Sequence, residues 1–100
     1  MLNQTILVGR LESAPELVTL PDNRVKTTIV LNIQRGYKDS ETGLYEVDAL
    51  PITLWSGIAE NTVEYCKAGS TIGIKARLKC KDGVVEIIGE KVTFINTKQD

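Results

Sequence analysis

Histidine is absent from the 100 residues, and the two cysteines, Cys66 and Cys80, do not form a Cys-x-x-Cys pair. That inventory assembles neither a zinc site nor a histidine-based catalytic group. Both cysteines fall on apolar phases, one on a helical stripe and one near the far end of a strand, too distant to bond. Two buried free thiols are therefore expected, which fits a reducing compartment. No apolar run approaches membrane-spanning length, and Met1 is not followed by the basic-then-apolar pattern of a secretion signal, which points to the cytoplasm. A strong charge imbalance is lacking too. With a net charge of -1 and a pI of about 5.5, nothing global marks a nucleic-acid or membrane partner, so basic character has to be local. There are no repeats or low-complexity segments. Asp39, Glu41 and Glu46 lack the spacing of a calcium loop, and Asp48 beside Glu46 has no nucleophile, metal or base nearby. No metal, cofactor or enzymatic reaction is expected.

What is present reads as sheet around one short helix, in one domain over 1–97 with a short tail at 98–100. Gln4 to Leu11 carries Ile6, Leu7 and Val8 in a row, so both faces of the first strand are apolar. One face is core, and the other is expected to be covered by a partner subunit through Leu2, Ile6, Leu7 and Val8. Gly9 lets this strand bend. Turns at Glu12–Pro15 and Pro21–Asn23 flank a short extended piece, Glu16–Leu20.

Val25 to Arg35 then alternates, with Val25, Thr27, Ile29, Leu31 and Ile33 on one face, over a length suited to a curled strand in a closed barrel. After a polar loop, Gly36 to Gly43, the next strand places Leu50, Ile52 and Leu54 on one side and Pro51, Thr53 and Trp55 on the other. Proline cannot donate to a ladder, so a local break in pairing is expected at Pro51. A large aromatic ending a strand on its polar side is out of place for a core residue. It suits a subunit contact, a half-buried packing position or a stacking surface.

Ile58 to Cys66 places Ile58, Ala59, Thr62, Val63 and Cys66 on one helical stripe, with Ser56 as N-cap, Glu60 in the first turn and Gly69 at the end. The period returns to two at Thr71. Ile72, Ile74, Ala76, Leu78 and Cys80 face inward, and Lys75, Arg77, Lys79 and Lys81 face outward as a cationic stripe. Asp82-Gly83 is a type I′ hairpin signal that sets Lys79 opposite Glu86 and Lys75 opposite Glu90. Five strands with the only helix between the third and fourth is the element order of the OB-fold, an all-β Greek-key barrel.

The residues Leu2-Asn3-Gln4, Val8-Gly9-Arg10-Leu11, Pro15-Glu16-Leu17, and the segment from Ile58-Ala59-Glu60-Asn61 to Tyr65-Cys66-Lys67-Ala68-Gly69-Ser70 together resemble the bacterial single-stranded DNA-binding proteins. The resemblance spans nearly the whole chain. It implies a non-catalytic OB-fold protein that assembles as a homotetramer or dimer of dimers. Such proteins coat exposed single-stranded DNA in replication, recombination and repair, within the cytoplasm at the nucleoid.

It further implies base stacking on Trp55 and Tyr37, with phosphate contacts from Arg35, Lys38, Lys67, Lys79 and Lys81. Lys75 and Arg77 join them from the cationic stripe. The bland account of that stripe is a solvated strand face, and of Tyr37 a loop residue resting on its own strand. Three departures stand out. Ala49 occupies a place where the family usually has a Trp or Phe, the last hairpin is cut to Asp82-Gly83, and Lys98-Gln99-Asp100 supplies no acidic tip for recruiting replication proteins. A primosome-type accessory, or a structural paralogue acting through protein contacts, is the alternative reading.

Overall fold

The computed structural model describes residues 1–97, and the tail expected at 98–100 lies outside them. Along the chain run β1 (Thr5–Leu11), β2 (Val18–Thr19), β3 (Val25–Lys38), β4 (Tyr45–Trp55), α1 (Ser56–Tyr65), β5 (Thr71–Lys81) and β6 (Val84–Asn96). The sheet order β1-β5-β6-β4-β3-β2, with a further β1–β3 pairing, closes five strands into a barrel. The sixth strand, β2, has two residues and pairs with the start of β3. The closed sheet with one helix between its third and fourth long strands is the OB-fold architecture that the alternation implied. Among the described residues no helix is long and apolar enough to cross a membrane.

Inward-facing residues of the long strands fill the barrel. Leu31, Ile52, Leu54, Ile72 and Ile74 are fully buried, each contributing about 1.5 to 3 kcal/mol by leaving water. Helix α1 buries Ala59 and Thr62, and Cys66, just past its end, joins Ala59 in the core. Gly9 sits where β1 leaves β5 to join β3, and a Cβ there would collide with the Asn32 carbonyl, so only glycine permits the crossing.

Several expectations require correction. Pro51 does not interrupt β4. It pairs in register with Val30, whose carbonyl accepts from the Glu12 N–H at 3.0 Å and so points away from β4. Val30 and Pro51 therefore form a non-hydrogen-bonded pair, where the missing N–H costs the ladder nothing. The break falls between Gln34 and Lys38, and β3 continues to Lys38 beyond the expected end.

At the helix, Trp55 occupies the N-cap position without a side-chain cap. Ser56 is the first helical residue and has φ 54°, and no acid lies in the first turn. Gly69 (φ 86°) shapes the following turn, with its N–H donating to the Leu11 carbonyl.

Asp82 and Gly83 both take positive φ, as a type I′ turn requires, and Lys79 faces Glu86 as expected. A register shift between Lys75 and Ala76 then places Lys75 opposite Lys91, leaving Glu90 within 3.9 Å of Arg77. The β5–β6 arm also projects past the barrel. Leu78 and Cys80 keep the inward phase but have no core above them, so Cys80 is an exposed thiol while Cys66 is buried. Burial pushes the Cys66 thiol above its ordinary range. Leu7 is likewise corrected, since it packs against the core and only Leu2, Ile6 and Val8 face out.

Candidate nucleic-acid interface

Trp55 closes β4 on the outer face of the barrel, half-buried. The β3–β4 ladder fixes its neighbours there: Lys26 is its direct partner, followed by Thr28 with Thr53, Val30 with Pro51, Asn32 with Ala49 and Gln34 with Val47. Two cations lie over the indole. The Arg24 guanidinium carbon is 4.9 Å from the ring centroid and the Lys26 ammonium 5.6 Å, each contact contributing about 0.5 to 1 kcal/mol at an exposed site.

Arg24 is aimed by its own turn. Asn23 takes φ 72°, and Asp22 accepts from the Arg24 backbone N–H at 3.1 Å and from its Nε at 2.8 Å. The Arg24 backbone N–H, and then its guanidinium, hold the Asp22 carboxyl below the usual range.

A parallel bridge between Thr53 and Ile88 sets β6 beside β4 and brings in the projecting arm. Its outer residues Lys79, Lys81, Glu86 and Ile88 join Leu20, Arg24, Lys26, Thr53 and Trp55 around a groove of about 430 Å³. Among the described residues, four cations and one carboxylate thus surround the chain's single tryptophan. Trp55, Lys79 and Lys81 come together as the sequence suggested. Arg24 and Lys26 were not among the expected site residues. Lys26 carries a signal in the outward phase of its strand, but linking it to Trp55 requires the cross-strand register, and Arg24 sits in a turn.

The other expected cations lie elsewhere. Arg35 falls on the ladder face opposite Trp55, where Asp48 takes its Nε and Nη2 at 3.1 and 2.9 Å and Glu46 takes its Nη1. Asp48, above all, holds the guanidinium above its ordinary range, and Arg35 in turn holds Asp48 below the carboxylate range. Tyr37 is 69% exposed near the end of β3. Lys38 lies 5.5 Å over the Tyr45 ring. Asp39 closes the adjoining loop by accepting from the N–H groups of Glu41 and Thr42, which keeps its carboxyl low. Lys67 begins the turn after α1, donating its N–H to Ser70.

Lys75 borders a separate outer patch with Ile6, Val8, Lys91 and Ile95. Arg77 lies between that patch and the groove, beside Glu90. A larger cavity of about 690 Å³ runs from Val8 and Arg10 to Gln34 and Val47 but has no aromatic wall. Ala49, exposed on the same face as Trp55, offers no ring either.

Residues 2–95 match the profile of the Single-strand binding protein family. The chain belongs to that family. Single-stranded DNA-binding protein 1 of Clostridium acetobutylicum is 32% identical over 99% of this chain and 98% of its own length. Single-stranded DNA-binding protein B of Bacillus subtilis is 33% identical over 98% and 94% respectively. A second Clostridium acetobutylicum relative, Single-stranded DNA-binding protein 2, is 34% identical over 99% of this chain and 80% of its own. The barrel and the Trp55 groove of this single-strand binding family member both lie within the matched span.

Proposed function

We propose that this chain binds single-stranded DNA without catalysing a reaction. In this reading one base stacks on Trp55 while Arg24, Lys26, Lys79 and Lys81 neutralise the flanking phosphates. The supporting observation is the convergence of the single indole and four cations in one groove. Tyr37, with Lys38 beside it, serves as a secondary platform on a longer strand, and Lys67, Lys75 and Arg77 add peripheral charge. Arg35 acts through the fold, because its donors are committed to Asp48 and Glu46.

The biological setting is the coating of exposed strands in replication, recombination or repair, in the cytoplasm. The active form is a homo-oligomer, a tetramer or dimer of dimers. Three features support assembly. Beyond Arg10 and Leu11, β1 makes no pairing with β3, so its Thr5–Gly9 edge is open among the described residues. Ile6, Val8 and Ile95 stand 61%, 52% and 55% exposed around one patch. Leu2 lies exposed at the same end of the strand.

Titration with oligothymidine followed by tryptophan emission tests the binding reading, since Trp55 is the sole reporter. Stacking quenches the emission. If all four cations each neutralise one phosphate, the log-log salt slope is about -3, from about -0.7 per phosphate on a single strand. Unquenched emission at low salt, with no binding detected, would refute it and favour an accessory acting through protein contacts.

A further inference from the structure

Among the described residues Glu86 is the one anion lining the Trp55 groove, beside Arg24, Lys26, Lys79 and Lys81. It faces Lys79 across the β5–β6 ladder, yet none of the ion pairs and hydrogen bonds found among the described residues engages its carboxylate. A carboxylate in a channel for phosphates repels the very group the surrounding cations attract. Its position makes chemical sense if the part of the ligand beside it carries N–H donors.

A base stacked on the indole presents its Watson–Crick edge to the walls of the groove, and bases differ in the donors on that edge. Guanine offers two adjacent donors, N1–H and the N2 amino group, which match the two oxygens of a carboxylate. Cytosine and adenine offer one amino group each. Thymine offers a single N3–H flanked by two carbonyls, which repel a carboxylate approaching side-on.

Resting on the single-stranded DNA reading above, we propose that Glu86 reads the base stacked on Trp55, favouring guanine and disfavouring thymine at that one position. Elsewhere along the strand binding stays indifferent to sequence. The groove therefore combines a sequence-blind platform with a single selective acceptor.

The test compares two strands of equal length, one of thymidine only and one alternating deoxyguanosine with thymidine, bound by wild-type protein, Glu86→Gln and Lys79→Gln. A glutamine amide presents one acceptor and one donor and so accommodates thymine. The wild-type preference for the alternating strand is expected to fall about tenfold in Glu86→Gln, the scale of discrimination of a bidentate base contact. In Lys79→Gln both affinities should weaken together and the preference should survive. Replacing guanine by inosine, which lacks the N2 amine, should reduce the wild-type preference and leave Glu86→Gln indifferent. A preference unchanged by Glu86→Gln, with both strands still bound, overturns the assignment of Glu86 alone. Wild-type protein that binds neither strand overturns the underlying reading and this inference with it.

Discussion

Removing the indole is the most direct perturbation of the groove. Trp55→Ala takes away the stacking platform, and Ala49 on the same face supplies no substitute. The expected loss is about 1 to 3 kcal/mol of binding, the scale measured for single base–aromatic stacks, or about 5- to 150-fold in affinity. A separate cost falls on the fold. Losing the contacts with Arg24 and Lys26, each worth about 0.5 to 1 kcal/mol, removes about 1 to 2 kcal/mol of stability. The barrel interior, filled by Leu31, Ile52, Leu54, Ile72 and Ile74, is untouched, so the variant should fold.

The two effects separate experimentally. Anisotropy of a labelled oligothymidine at low salt reports affinity, urea unfolding reports stability, and sedimentation reports assembly. Trp55→Phe should recover most of the affinity, because a smaller ring still offers a π-face. Unchanged affinity in Trp55→Ala, or a variant that binds normally as a dissociated monomer, would refute the stacking argument and assign the indole to a subunit contact.

Three further outcomes are expected. Thr27 is fully buried and its Oγ1 has no hydrogen-bond partner among the described residues, so Thr27→Val should raise the urea-unfolding free energy by about 1 kcal/mol, and a loss of stability would show that the hydroxyl is satisfied in solution. The carboxyls of Asp22, Asp39 and Asp48 are held below their ordinary value of 3.8. Groups lowered on folding contribute stability that is present above the unfolded value and lost as pH falls through the folded one. The thermal midpoint should therefore drop below about pH 4, and Asp48→Asn should make that drop shallower. Finally, Ile6→Lys places a charge in the exposed β1 patch and should convert the proposed oligomer to monomer in sedimentation, whereas Leu7→Ala, partly buried against the core, should instead lower stability by about 2 kcal/mol, the low end of the range for a core leucine.

Much of the barrel was readable from period alone. Strict alternation in Val25–Ile33 and Ile72–Ala76 assigns the core faces because a one-residue slip would expose every isoleucine. Asp82-Gly83 fixed the arm register as far as Ala76, and the shift beyond it left no local mark in composition, which is why Lys75 met Lys91 in place of Glu90. Alternation also overran the barrel. Leu78 and Cys80 keep the inward phase, but inward has no meaning where the arm extends past the opposing wall.

Of the candidate groove, the arm lysines and Trp55 could be placed from the sequence, since both sit on outward phases. Arg24 and Lys26 were hidden because their nearness to the indole depends on strand pairing and on a turn with positive φ at Asn23. Arg35 misled for the converse reason. Its charge is visible in the sequence, but its two carboxylate partners come from another strand.

The unequal exposure of the two thiols has a practical corollary. A maleimide dye added to the native protein should couple at Cys80 and spare Cys66, which stays shielded until unfolding. That chemistry sets a reporter between Lys79 and Lys81, on the face of the arm opposite to the groove, where the dye can signal ligand capture optically.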